Sequence, residues 1–256
     1  MHWILQENIF FENGWDDLVA TLDRFGFEYS VHKVVPFTGE LIPAPKEGLS
    51  KAICFGSYSM RHAAKKYSWT PGVFDLHDYG FVEQKKHWGA NLLNYESVVS
   101  KFSEAKFTED EMFVRPVLDS KSFSGRVFSR DGFTHWQKQV ANLGTESTLT
   151  SDTKIQLAKV HRIQAEYRYW IVKGQLITKS MYKLGDRVLY KRDVDSRVDD
   201  FVRDRVSEWS PHYAFVVDVC DTDSGLKVIE INTLNSSGFY NGDVQKLVLA
   251  LQDGFS

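Results

Sequence analysis

Cysteine is scarce in this chain, with two among 256 residues. Cys54 in "KAICFG" and Cys220 in "FVVDVC" each lie within an apolar run, with no C-x-x-C or His-Cys spacing. Neither a disulfide framework nor a thiolate metal site is expected, and both thiols read as small core residues in a reduced setting. An excess of one charge is also lacking. The 31 Lys and Arg nearly balance the 34 Asp and Glu, leaving a net charge of -3 spread along the chain. That excludes a general attraction to nucleic acid or to an anionic membrane. No run approaches the ~20 apolar residues of a membrane span. The opening "MHWILQENIF" has neither the basic head nor the apolar stretch of a signal peptide, so a cytoplasmic protein is expected. Repeats and low-complexity segments are absent too, as are the G-x-G-x-x-G and G-K-[ST] phosphate patterns.

Aromatic residues, by contrast, make up 14% of the chain, which points to heavy core packing. The length is enough for one large domain or two small ones. Through the first hundred residues strand and helix signals alternate. "WILQENI" reads as a strand, and "WDDLVATLDRFG" as a helix with Trp15, Leu18, Val19, Leu22 and Phe25 at helical spacing and Gly26 at its end. "EYSVHKVV" and "KAICFG" read as further strands, the second followed by a glycine turn and a helix, which predicts βαβ units around a small parallel sheet. "HWGANLLNYESVVSKFSEA" reads as a helix leading into a second region. From "EMFVRPVLDSKSFSGRVF" onward longer strands and hairpins give an α+β pattern. Between them "VDSRVDDFVRDRVSEW" carries an apolar helical stripe at Val194, Val198, Phe201, Val202, Val206 and Trp209. The expected division is residues 1–107 and 108–256, the latter split near 153.

Asp218 lies in the apolar strand "YAFVVDVCD", and Glu230 and Asn232 lie on one face of the next strand, "LKVIEIN", across the turn "DTDSG". A hairpin would set the three side by side. Clustered carboxylates repel unless protonated or bound to a hard cation, and magnesium takes such oxygen ligands together with phosphate oxygens. Arg115 ends a strand in the same half, and Lys121 lies in the Ser/Gly loop after it, where cations and backbone N–H groups can cover phosphates. "AEYRYWIVKGQLITKSMYK" supplies Glu166, Arg168, Lys179 and Lys183 on a hairpin turning at Lys173-Gly174. Its cations suit charge that builds during phosphoryl or acyl transfer, although a cross-strand ion pair between Glu166 and a lysine is the plainer alternative. Asp75, His77 and Asp78 in "FDLHDYG" read as a structural loop, and His161 as a packing or hydrogen-bonding residue.

In the order of "FVRP" with its loop, "AEYRYWIV", "VVDV" and "VIEINTLNSSGFY", residues 108 to 240 resemble the ATP-grasp superfamily of ATP-dependent carboxylate-amine ligases. Within it they look most like the phage and bacterial clade that exchanges an arginine for lysine. The first half is similar to that clade's pre-ATP-grasp domain. The resemblance implies an N-terminal βαβ domain followed by a two-subdomain ATP-grasp fold of mixed α/β and α+β class. It also implies that Asp218, Glu230 and Asn232 hold Mg²⁺ on ATP, with Arg115 and Lys121 on the phosphates. The "LAKV" hinge, with Ala158, Lys159 and Val160, would meet adenine and Glu166 the ribose. Asn235, Ser237 and Gly238 would face substrate and phosphate. Where many ligases have an arginine two residues before the metal-binding aspartate, this chain has Val216, and Lys179 or Lys183 would supply the missing charge. Ligation of a carboxylate to an amine, on small molecules or peptides, is the expected activity. An ATP-binding regulatory module without turnover and a kinase-like phosphotransferase are the alternatives.

Overall fold

Apolar side chains in "HWILQ" and "KAICF" place two strands at the centre of an N-terminal sheet. The computed structural model describes residues 1–7, 14–117, 123–142 and 148–255. In it β1 (His2–Gln6), β2 (Tyr29–Val34), β3 (Leu41–Ile42), β4 (Lys51–Phe55) and β5 (Thr70–Gly72) stand in the order β3-β2-β1-β4-β5. β1 is parallel to β2 and β4, and β4 to β5, as expected for βαβ units. The chain leaves β1 on one side and returns to β4 on the other, so the topological switch lies between the carboxyl ends of these two strands. Helix α1 (Trp15–Phe25) buries Trp15, Leu18 and Leu22. It ends at Gly26, whose φ of 66° lets its N–H turn back onto the last carbonyls. α2 (Met60–Lys66) follows β4 and covers the other face of the sheet.

The segment expected as one long helix is instead α3 (Phe81–Trp88), a 3-10 turn at Gly89–Asn91, and the strand β6 (Val98–Lys101). Gly89 stops the helix at a φ of 48°, and the β-branched Val98 and Val99 prefer a pleated partner. Next come β7 (Glu111–Pro116), β8 (Arg126–Ser129), α4 (Arg130–Ala141) and β9 (Lys154–Ala158). The middle sheet is antiparallel in the order β6-β9-β7-β8. It takes β6 from before residue 107 and β9 from after residue 153, so it crosses both expected boundaries. α4 covers one of its faces, packing Phe133 and Val140 with Val114, Ile155 and Leu157.

The C-terminal sheet comprises β10 (Ile163–Val172), β11 (Gln175–Leu184), β12 (Arg187–Lys191), β13 (Ala214–Thr222) and β14 (Gly225–Asn232), antiparallel in the order β12-β11-β10-β13-β14. Lys173 and Gly174 both take positive φ at the β10–β11 turn, as a two-residue hairpin requires. α5 (Ser196–Glu208) buries the valine stripe against Tyr169, Ile171, Phe215 and Val217 on one face. On the other face α6 (Val244–Phe255) and the N-terminal sheet pack around Trp170, Val172 and Val216. Every residue of β13 is therefore buried, and a charge placed there must find a partner. Both cysteines are free and buried; burial pushes both thiols up, Cys220 to about 12. Among the described residues no helix is long and apolar enough to cross a membrane.

Candidate active site

Strand register sets the charged groups in a row. Asp218 on β13 stands opposite Arg168 of β10 on one side and Glu230 of β14 on the other, and Asn232 follows opposite Val216. Arg168 is 8% exposed and Asp218 2%. The guanidinium grips the carboxylate in bidentate fashion, with Nε to Oδ1 at 2.8 Å and Nη2 to Oδ2 at 2.7 Å. Burial works against both charges. For Arg168 the attraction and hydrogen bonds of Asp218 outweigh it and hold the guanidinium charged. For Asp218 burial pushes the carboxyl above its ordinary range, opposed by Arg168 and helped by Glu230 and Glu166. The fork-on-fork geometry is that of an ion pair.

Asn232 donates to Asp218 at 2.9 Å and to Glu230 at 3.3 Å. Arg115 reaches from β7 to Glu230 at 2.7 Å, bridging the middle and C-terminal sheets. Behind that bridge is a cleft lined by Arg115, Val117, Gln156, Glu230 and Thr233. Gln156, opposite Arg115 across β9 and β7, is 1% exposed. Neither polar atom of its side chain has a hydrogen-bond partner among the described residues. An orphaned buried amide costs on the order of 1–3 kcal/mol per group, so it marks a place where a ligand would be held.

Oxygen donors such as these suit a magnesium ion, yet all four carboxylate oxygens of Asp218 and Glu230 already accept N–H groups. Glu230, with a side chain 29% exposed, keeps lone pairs toward the cleft. Asp218 is shut in by its arginine. Among the described residues no cluster of three His, Cys, Asp or Glu is placed to hold a metal. The expected trio is thus brought together, with Glu230 on the cleft, Asn232 bonded to both carboxylates and Asp218 anchoring Arg168.

Glu166 accepts from Lys183 at 2.9 Å and from Tyr182 at 2.7 Å, so the cross-strand ion pair is formed. Burial and the neighbouring carboxylates raise the Tyr182 hydroxyl well above its ordinary range. Lys179 is not part of this site. It pairs in register with Tyr169, on the sheet face toward α5, where Asp199 takes it at 2.5 Å. Strand alternation puts it on the side opposite Arg168. Asn235 also departs from expectation. It is 2% exposed, and its amide donates to the Cys54 carbonyl at 2.5 Å and accepts from the Phe74 N–H at 2.8 Å. It stitches the turn after β14 to the N-terminal sheet instead of facing phosphate.

Ser237 donates to the Thr233 carbonyl at 2.9 Å, and the Gly238 carbonyl lies 3.4 Å from Arg168. Ala158 ends β9, with Lys159 and Val160 exposed just beyond it. Lys121 lies outside the described residues. The Asp75 to Asp78 segment is a loop, and Asp75 caps the His77 N–H at 3.0 Å. Gln156, Tyr182 and Tyr240 escaped sequence reasoning. Tyr240 stacks on Tyr182 and Tyr190 and lies 4.7 Å beneath the Arg168 guanidinium. A polar residue between apolar neighbours in "KIQLA" was the available signal for Gln156; for Tyr240 there was none.

Residues 54–251 match the family model of the ATP-grasp domain, R-to-K clade, family 3. The chain belongs to the ATP-grasp superfamily. Solved structures of the same fold cover nearly all of this ATP-grasp chain. D-alanine–D-alanine ligase from Bacillus anthracis, complexed with ATP, aligns over 98% of this chain and 92% of its own at 12% identity and a TM-score of 0.65. A RimK domain ATP-grasp protein from Sphaerobacter thermophilus aligns over 100% and 96% at 13% identity and 0.63. The ATP-grasp ligase PsnB, complexed with a precursor peptide and AMPPNP, aligns over 100% and 97% at 12% identity and 0.58. No curated protein sequence matches the chain. The expected superfamily and the mixed α+β architecture are borne out.

Proposed function

We propose that the chain is a carboxylate-amine ligase that uses Mg-ATP and works through an acyl phosphate. The observation that carries this reading is the row Arg168, Asp218, Glu230 and Asn232, joined by Arg115 across a cleft that holds an unpaired buried amide. A substrate carboxylate oxygen would attack the γ-phosphorus as ADP leaves. The amine nitrogen would then attack the acyl carbon and lose its proton as phosphate departs. A bound magnesium ion supplies neutralising charge at the phosphates, and Glu230 and Asn232 would hold it.

Arg115, on parting from Glu230, would bind phosphate oxygens together with Lys121. The backbone of Ala158, Lys159 and Val160 would take the adenine edge beside Gln156. Glu166 would turn from Lys183 and Tyr182 to the ribose hydroxyls, and Lys183 would then face developing charge with Arg168. Ser237 and Gly238 border the acyl end. Positioning and electrostatic stabilisation are the protein's whole contribution to this chemistry. Substrates would be acids and amines on small molecules or peptides.

One observation favours a second reading, an ATP-binding regulatory module. Val216 is fully buried against Trp170 and offers no charge to an acyl phosphate. Under the ligase reading Arg168, one strand away on the same face, replaces it. Incubation with Mg-ATP and panels of acids and amines, read by ADP release and by mass spectrometry for a new amide, separates the two. ADP with amide is expected. Thermal stabilisation by Mg-ATP with no ADP across the panels would favour the module, and a stable phosphorylated product would indicate a phosphotransferase. Absence of both ADP and thermal shift would remove the ligase reading.

A further inference from the structure

A cavity of about 140 Å³ lies where the carboxyl ends of β1 and β4 meet the turn after β14. This is the topological switch point of the N-terminal sheet, the crevice where open parallel sheets bind ligands. Trp15, Leu18, Phe55 and Phe239 form its apolar walls. Two hydrogen bonds brace the rim, from the Ser57 N–H to Gln6 at 2.7 Å and from the Gly56 N–H to the Asn235 carbonyl at 3.0 Å. Gly238 lines the same cavity, and its carbonyl receives Arg168, so it touches the Arg168 end of the row described above.

The chemistry of the lining is one-sided. None of the described lining residues is charged, so a charged side chain entering the cavity would be desolvated without a counter-ion, with only Ser57, Asn235, Ser236 and Ser237 as polar neighbours. An apolar one would lose nothing. The volume is close to that of an engineered 150 Å³ protein cavity that admits benzene, which suits a phenyl ring or a branched aliphatic chain. Arg168 contacts the carbonyl of Gly238 at the rim, so an anionic end fits there and an apolar end inside.

We infer that this cavity receives the apolar side chain, of leucine to phenylalanine size, of the carboxylic acid that the enzyme activates, with the carboxylate at the Gly238 rim. The inference rests on the ligase reading for the identity of the acid, but binding can be measured without turnover. Leucine, phenylalanine, glycine, glutamate and lysine share their backbone groups and differ only in the side chain. Ligand-observed NMR titrations of these five into the full chain with Mg-AMPPNP, with ADP release measured in parallel under Mg-ATP, form the test.

Leucine and phenylalanine are expected to bind at least about tenfold more tightly than glycine, the worth of burying one such side chain. Glutamate and lysine are expected to gain nothing over glycine. Leu18→Phe, which extends a ring into the cavity, is expected to bring leucine and phenylalanine to the level of glycine while the thermal shift with Mg-ATP persists. Ser236→Leu, at the rim, gives the same result should Leu18→Phe fail to fold. Equal affinities across the five, including no binding at all, or a preference for glutamate or lysine, overturns the inference. Apolar preference without any ADP leaves the inference standing and removes the ligase reading; ADP formed only with charged acids does the reverse.

Discussion

Arg168 decides what Asp218 can do. Strand β13 is buried on both faces, so the carboxylate depends on the guanidinium for its charge. Removing one partner of a buried ion pair strands the other and costs about 3–5 kcal/mol. Arg168→Met is therefore expected to lower stability by about that amount in urea unfolding, and Arg168→Lys to recover part of the loss, because lysine lacks the bidentate fork. An unchanged unfolding midpoint for Arg168→Met would show that the pair carries no stability. Lysines 179 and 183, equivalent on sequence grounds, separate here. Lys183→Ala is expected to weaken ADP formation, whereas Lys179→Ala loosens the Asp199 contact under α5 and leaves the Mg-ATP thermal shift in place. Equal effects of the two substitutions on ADP formation would contradict that division.

At the scale of elements, the turn after β14 is held from three sides. Asn235 ties it to β4 and to Phe74, while the Thr178 and Ser180 hydroxyls of β11 accept the N–H groups of Asp243 at 2.6 Å and Asn241 at 3.3 Å. Arg192 donates to the Asn241 carbonyl at 2.6 Å. Tyr240 sits between these anchors at a φ of 48°, a conformation costly for a residue with a side chain and sustained by its surroundings. Asn235→Ala leaves a buried carbonyl and a buried N–H unpaired. The expected cost is about 3 kcal/mol, a drop of roughly 6–12 °C in melting temperature for a chain of this size. A shift below about 2 °C would mean that water replaces the amide and that the turn does not depend on it. Long hairpins and the valine stripe of α5 were legible because their periods of 2 and 3.6 survive in a single sequence. β6 was not, because Val98 and Val99 become a strand only when β9 arrives from more than fifty residues away.

At the scale of the whole molecule, burial governs how stability responds to acid. His2, His161 and His212 all have pKa values lowered from the ordinary 6.5, with burial as the leading cause. The folded chain keeps these imidazoles neutral at a pH where the unfolded chain already binds protons. Their contribution is present above pH 6.5 and is lost as the pH falls through the lowered values. Unfolding midpoints in urea are expected to drop between pH 7.5 and 5.5, and to drop less in a His2→Gln, His212→Gln double variant. A midpoint that rises over that interval would contradict the assignment.

By itself the sequence determined the fold class, the hairpin that aligns Asp218 with Glu230 and Asn232, and the identity of most charged groups at the site. Those features follow from local periodicity, turn chemistry and the chain order of motifs, all of which one sequence contains. Tertiary structure decided which face each cation occupies, which partner each carboxylate takes, and where the empty space lies. Lys179 and Arg168 differ by strand parity and neighbouring helix, Asn235 acts through backbone groups of another sheet, and Gln156 stands out only once burial shows its amide to be unpaired. Pairing across sheets and exclusion of water arise from contacts distant in the chain, so no local pattern encodes them.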